Sequence, residues 1–409
     1  GSGQGLCVGL AENRFVVASE PYGLVEETQR YVRMDGESLA HPERPSSRGQ
    51  VMVLEAARAG DEAGVTLVAY DGTPLALGKH NVLTAEVTTR DIDRGEHRHF
   101  LAKEINEAPR SFAKTLRGRI SQEKSRLAVS LDESQLPAQI VNELADGTLK
   151  RVRVIGQGTA AIAGRSLANL LRQLTDDRIR VDALPATELS GFGLQLDMRD
   201  TLIVAISQSG TTTDTNRTVD LARSRGARVV AIVNRRGSEL TAKADGVIYT
   251  SDGRDVEMSV ASTKAFYAQV AAGALVACAI AQVLGTGTAD DRSNLLQALR
   301  TLPDAMREVL QLREQVAEAA RTFATSRRYW TIVGNGANAV AAEEVRIKLS
   351  ELCYKSIACD ITEDKKHIDL SCEPLIFVCA AGLAGGTAAD VAKEIEIDRK
   401  STRLNSSHT

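Results

Sequence analysis

From about residue 150 to residue 234 the chain alternates without a break between short apolar runs and stretches of helical period. RVRVIG (151–156), TLIVAIS (201–207) and RVVAIV (228–233) are runs rich in β-branched residues, too continuous for strands with one wet face. The segments between them, AAIAGRSLANLLRQL (160–174) and TTTDTNRTVDLARSRGA (211–227), place their apolar residues at helical spacing. Buried strands joined by amphipathic helices call for an α/β fold, a doubly wound parallel sheet with right-handed crossovers. Aromatic residues are only 4% of the chain, which suits a core of Ala, Val, Leu and Ile.

Around this unit the text changes character. Residues 1–93 read as β-rich, with LCVGLA, RFVVAS, VMVLEAA and VTLVAY separated by Gly, Pro and charged turns. Residues 94–135 form a charged, helix-forming linker region, and 136–288 hold the α/β unit, ending in a helix over 261–284. A second unit of the same style spans 289–399. It begins with a helical stretch over 290–323 and then YWTIVGNGANAVAAEEVRIKLSEL, and the half-repeat VIGQGTA against VGNGANA suggests duplication. This second unit reads as incomplete. The last residues, 400–409, carry no apolar period and read as a non-native tail.

Charge and cysteine usage remove several classes of function. Fifty Lys and Arg against 53 Asp and Glu leave a net charge of −3, so no general attraction to nucleic-acid phosphates or anionic lipid is expected. The longest apolar run, 271–284, is too short to span a bilayer. Six cysteines at irregular spacing, without CxxC pairs, read as reduced thiols of a cytoplasmic protein. Their spacing to His367 fits no zinc motif, so no metal is expected.

The candidate chemistry sits at strand ends. Ser207, Gln208, Ser209, Gly210, Thr211, Thr212 and Thr213 follow a buried strand and open a helix, a cradle in which hydroxyls and helix amides can hold a phosphate. Capping alone would need fewer hydroxyls. The turn Gly156-Gln157-Gly158-Thr159 lacks the third glycine and the acidic partner of a dinucleotide fingerprint, and no GxxxxGK[ST] occurs. Val260, Ser262 and Thr263 precede another helix, where Ser262 alone would be an ordinary cap. Glu344, Lys348 and Glu351, spaced by four and three, share one helix face, and His367 follows sixteen residues after Glu351. An exposed charged face explains the first three; with a histidine they also make an acid–base set for moving a proton between adjacent carbons.

Taken together, VVASE (16–20), RHFLAKEINEAPRSFAKTLRGRI (98–120), ISQSGTTTDT (206–215), VASTKAF (260–266) and the EVRIKLSE helix with its downstream histidine resemble the sugar-isomerase (SIS) domains. More closely they resemble the glutamine–fructose-6-phosphate aminotransferase, or glucosamine-6-phosphate synthase, family. The resemblance implies two SIS domains, one complete and one partial, preceded by the β-rich end of a class II glutaminase domain of the Ntn type. It implies hexosamine biosynthesis from fructose 6-phosphate and glutamine, a sugar phosphate as partner, a homodimer, and no cofactor or metal. Gly158, Thr159, Ser207, Gln208, Ser209, Thr212, Val260 and Ser262 would hold the sugar phosphate. Glu351 would carry the proton between C1 and C2, His367 would assist ring opening, and Lys348 would lie beside the developing enolamine.

Departures from the family pattern set further expectations. Residue 1 is Gly where the family's glutaminase begins with a cysteine nucleophile, and Cys7 lies inside a strand-like run, so glutaminase activity is expected to be absent. The family's imine-forming lysine would lie beyond residue 409. Gln157 and Ala160 stand where Cys and Ser are usual, and Thr211 stands where Glu is. These changes keep two alternatives open: an SIS-type amino-sugar-phosphate deaminase or isomerase, and a non-catalytic sugar-phosphate sensor.

Overall fold

The computed structural model describes residues 6–34, 40–41, 43–47, 49–77, 82–85, 87–89, 92–363 and 374–405. The β-rich beginning is antiparallel. Strands β1 (Leu6–Ala11), β2 (Arg14–Ala18), β3 (Arg30–Met34) and β7 (Val82–Thr84) pair in the order β2-β1-β3-β7. A separate sheet holds β4 (Gln50–Leu54), β5 (Val65–Ala69) and β6 (Pro74–Leu75). Cys7, Leu24, Tyr31 and Ile92 bury one face and pack with Val256, which belongs to a loop of the later unit. The four apolar runs of the sequence are strands here, and β3, whose RYVRM carries two arginines, joins them.

Helix α1 (Phe100–Leu116) follows. Its buried Ala108, Phe112 and Leu116 recur every four residues, and this stripe lies on the later helix α7. The expected linker helix ends there. A hairpin of β8 (Ile120–Glu123) and β9 (Arg126–Val129) turns at Lys124, which takes a φ of 55°, and helix α2 (Ala138–Ala145) follows.

The central sheet is parallel throughout: β10 (Arg151–Gly156), β11 (Arg180–Pro185), β12 (Thr201–Ser207), β13 (Arg228–Val233) and β14 (Gly246–Tyr249), in the order β11-β10-β12-β13-β14. In chain order this is 2-1-3-4-5, the doubly wound arrangement that reverses direction between its first and third strands. Helix α3 (Thr159–Thr175) covers one face with Leu167, Ala168 and Leu171. The short α4 (Ala186–Glu188) and α5 (Thr213–Arg223) cover the other, where Val219 and Ala222 pack; α6 (Glu239–Lys243) follows β13. Every residue of β12 is buried, so its Ile, Val and Leu are accounted for by contact on both faces. Edge strands β11 and β14 were not anticipated from the sequence.

Helix α7 (Lys264–Leu284) lies on α3 at Gly273, where a Cβ would stand 3.1 Å from that of Leu167. It is longer than the apolar run suggested, and is long and apolar enough to cross a membrane. Its most apolar window is nevertheless 72% buried within the protein. The expected helix over 290–323 is two helices, α8 (Ala289–Gln311), capped by Thr288 with Oγ1 accepting the Asp291 amide at 3.0 Å, and α9 (Arg313–Phe323). A second parallel sheet, β16-β15-β17, is built from β15 (Trp330–Gly334), β16 (Ala358–Asp360) and β17 (Leu375–Cys379), with helices α10 (Ala337–Cys353) and α11 (Gly385–Asn405). Its chain order, 2-1-3, repeats the start of the first sheet. Helix α11 runs into the stretch read from the sequence as a tail.

Candidate functional site

In a doubly wound sheet the reversal point opens a crevice at the carboxyl ends of the two diverging strands. Here these are β10 and β12, which carry the Gly turn and the hydroxyl-rich loop. The hydroxyl loop is shaped by its own side chains. Ser207 Oγ accepts the Gly210 amide at 3.0 Å and lies 3.2 Å from Thr212 Oγ1, while Ser209 Oγ accepts the Thr211 amide at 3.2 Å and its hydroxyl at 2.9 Å. Asn216 Nδ2 binds the carbonyls of Gly210 and Thr212, fixing the loop on the first turn of α5. Gly210 has a φ of 67°, and a Cβ there would fall 2.0 Å from Ser238 Oγ, so no other residue fits. Ser207 is buried, whereas Gln208, Ser209, Thr211 and Thr212 are partly open to solvent.

Beside it, Gly156 brings β10 against the start of α3, where a Cβ would meet the Ala160 carbonyl carbon at 2.8 Å. Gly158 stands at the N-cap of α3 with φ 54° and ψ −129°, a conformation open to glycine. Thr159, the first residue of α3, donates its hydroxyl to Glu344 Oε1 of α10 at 3.0 Å. This bond joins the two units at the crevice.

Glu344 is 6% exposed, and burial pushes its carboxyl up from the ordinary range despite the nearby Lys348 ammonium at 3.6 Å. Its second oxygen is buried with no hydrogen-bond partner among the described residues. Glu344 and Lys348 line a cavity of about 450 Å³ together with Ser262, Thr263 and the rings of Phe266 and Tyr267. The sequence set Glu344 on the right face but assigned it no role; its burial follows from contact with Thr159, 185 residues away, which no local pattern reveals.

The loop before α7 is braced by two carboxylates. Glu257 accepts the Ser262 hydroxyl at 2.9 Å and the amides of Thr263 and Ala265 at 2.8 and 3.0 Å, and burial raises its carboxyl. Glu104 of α1, 1% exposed, accepts the amides of Met258 and Ser259 and the Ser259 hydroxyl. Ser262 therefore stands half-buried at the cavity wall, while the Val260 side chain is fully exposed. Lys348 Nζ pairs with Glu351 at 2.9 Å, but the Glu351 side chain is 40% exposed and does not line the cavity. His367 lies outside the described residues; the chain leading to it is anchored where Asn335 Oδ1 accepts the Thr362 amide at 2.9 Å. The described residues contain no cluster of three metal-ligating side chains.

Three kinds of comparison bear on this arrangement. Residues 148–279, from the strand before the Gly turn to the middle of α7, match the SIS domain. This segment, about a third of the chain, is the part that the SIS domain describes. Over 97% of its length it is 32% identical to a glutamine–fructose-6-phosphate aminotransferase (isomerizing) of Symbiobacterium thermophilum, covering 59% of that protein. It is likewise 32% identical over 85% of its length to the Streptomyces coelicolor protein of the same name, covering 51% of it. The chain thus spans between half and three fifths of these relatives. Among solved structures, the C-terminal domain of glucosamine-fructose-6-phosphate aminotransferase from Francisella tularensis superimposes with a TM-score of 0.64 at 21% identity. That match covers 75% of this chain and 82% of that one. By sequence the chain is a relative of these aminotransferases, and by fold it shares their SIS architecture.

Proposed function

We propose that this chain is the sugar-phosphate-handling part of an enzyme that converts fructose 6-phosphate and glutamine to glucosamine 6-phosphate and glutamate. The observation that carries the reading is that Ser207–Thr212 and Gly158-Thr159 lie at the carboxyl ends of the two strands that flank the reversal of the sheet. Hydroxyls of Ser207, Ser209, Thr212 and Thr159, with the Gln208 side chain and the first amides of α5, would hold the phosphate. Val260 through its backbone and Ser262 would bound the sugar. Glu351 would move the proton between C1 and C2, Lys348 would lie beside the enolamine, and His367 would assist ring opening. Glu344, a buried acid with one free oxygen, adds a group able to hold a sugar hydroxyl. The domain reading accompanies this proposal: a glutaminase-like end over 1–93, a linker over 94–135, one SIS domain over 136–288 and part of a second over 289–399. A cytoplasmic homodimer is part of the same reading.

Cys7 does not fit a glutaminase nucleophile. It lies in β1, paired with Ala18 and Arg33 of the adjacent strands, and burial pushes its thiol up to about 11. These 409 residues are expected to bind hexose phosphate without hydrolysing glutamine; glutamate release by the purified chain would contradict this.

Calorimetric titration with fructose 6-phosphate tests the main reading. The double variant Ser207→Ala/Ser209→Ala should weaken binding about 10- to 100-fold, the scale of losing hydrogen bonds to a charged group. Unchanged affinity in that variant, or no binding by the unaltered chain, would overturn it. The exposure of Glu351 favours a second reading, a sensor that binds the sugar phosphate without turning it over. Loss of ketose–aldose isomerisation in Glu351→Gln with binding retained would exclude the sensor.

A further inference from the structure

A second polar cavity, of about 220 Å³, lies between α1, the loop after β14 and the first residue of α7. One face of α1 supplies Lys103, Arg110 and Lys114, spaced by seven and four residues, and the opposite wall supplies Arg254 and Lys264. Against these five positive groups stand two carboxylates, Glu107 and Asp255, a balance of +3 within the lining. Both carboxylates are already engaged. Asp255 accepts hydroxyls from Ser111 and Ser251 and the Lys114 ammonium at 3.3 Å; burial opposes its charge, yet these partners and Lys264 hold its carboxyl below the ordinary range. Glu107 accepts Lys264 Nζ at 2.7 Å and lies 3.5 Å from Lys103 Nζ, and Lys264 itself is only 3% exposed.

Three lysines therefore neutralise the two acids, and the guanidinium groups of Arg110 and Arg254 are left with no ion-pair or hydrogen-bond partner among the described residues. Two such forks lining one small, partly enclosed space, with the buried Lys264 ammonium in the same lining, supply the donors that a tetrahedral oxyanion requires. We propose that this cavity binds a phosphate-type oxyanion, free or as the phosphate end of a small ester, at a site separate from the hydroxyl loops of the central crevice. Its occupant would touch α1 and the Arg254–Val256 segment together, one residue from the Glu257 that braces Ser262.

Calorimetric titration of the whole chain with inorganic pyrophosphate at about 0.15 M salt tests the proposal, since weak surface attraction is screened at that strength. Binding is expected at one site per chain, weakened about tenfold or more by Arg110→Ala/Arg254→Ala and unaffected by Ser207→Ala/Ser209→Ala. Arg110 and Arg254 are exposed, so the variants should fold, and an unchanged melting curve verifies this. Absence of binding by the unaltered chain overturns the proposal. So does binding lost in the serine variant but retained in the arginine variant. Fructose 6-phosphate added to the serine variant then separates the sources: displacement of pyrophosphate supports the ester, and failure to displace it supports the free ion.

Discussion

The junctions β10–α3 and β15–α10 are the same backbone object filled in two ways. Gly158 and Gly336 cap their helices with φ and ψ of 54° and −129° and of 58° and −126°. At Gly156 and Gly334 a Cβ would meet the following helix at 2.8 and 2.4 Å. Even the middle residues correspond. Gln157 donates its Nε2 to the Thr187 hydroxyl, beyond the strand beside β10, at 3.3 Å, and Asn335 Oδ1 accepts the Thr362 amide, beyond the strand beside β15, at 2.9 Å. The chemistry differs after the turn: α3 opens with Thr159, α10 with Ala337, and α10 carries its charged groups two to three turns further on, at Glu343, Glu344 and Lys348. The turn is a packing solution common to both units. What distinguishes them is where each helix places its side chains.

This comparison can be broken at several points. The largest effect should come from Gly334→Ala, where the added methyl meets the Asn338 carbonyl oxygen; a loss of about 3 kcal/mol or more in urea denaturation is expected, with Gly156→Ala somewhat less. Gly158→Ala and Gly336→Ala meet nothing within 4 Å and should cost only the strain of their dihedrals, about 1–3 kcal/mol. If all four cost the same, packing is not what selects the first glycine. Thr159→Val removes the hydroxyl that serves the buried Glu344 and should cost about 1–3 kcal/mol, whereas Ala337→Thr, its counterpart, should gain nothing measurable.

A smaller, pH-dependent difference is expected at Glu344. Its carboxyl titrates higher in the folded than in the unfolded chain, so its contribution is full below the free carboxylate range and is lost as pH rises through the folded value. Unfolding midpoints of the unaltered chain should therefore rise relative to Glu344→Gln as pH is lowered from about 8 toward 4.5. A constant gap across that range would mean Glu344 is not held in a desolvated site. Smallest of all, Arg165→Ala, which breaks the ion pair with Glu343 between α3 and α10, should change stability by less than about 1 kcal/mol, because the arginine is 46% exposed. A larger loss would make the surface pair, rather than Thr159–Glu344, the main tie between the units.

What the sequence revealed follows the reach of its signals. The strands β10, β12, β13 and β15 and both Gly turns were legible because each is a local pattern, an apolar run that at β10 and β15 closes in glycine. Strands β11 and β14 were not: RVDALP is interrupted by an aspartate and ends in proline, GVIY has four residues, and both become strands only by pairing with a neighbour. The hairpin β8–β9 was hidden within a charged stretch that reads as helix. At the candidate site the hydroxyl loop was legible for the same local reason, and the face shared by Glu344, Lys348 and Glu351 followed from helical spacing. Which of the three is buried was not legible, since only the approach of Thr159 from the other unit decides it. The carboxylate braces at Glu104 and Glu257 were likewise invisible, being contacts between segments more than 150 residues apart or within a loop of no regular period.

Helix α1 grips the segment 255–264 at four places, through Glu104, Glu107, Ser111 and Lys114. It serves as a splint, and that fixes where the molecule tolerates being severed. Residues 93–99 are exposed and lie ahead of every one of these attachments, so a nick there would leave Ser262 supported and the β-rich portion held by its packing on Val256 and the Glu20–Arg235 pair. A nick ten residues later would cut the splint itself, parting Glu104 from the attachments at Ser111 and Lys114. Anyone trimming or fusing this polypeptide should treat Phe100 as the first residue that must stay.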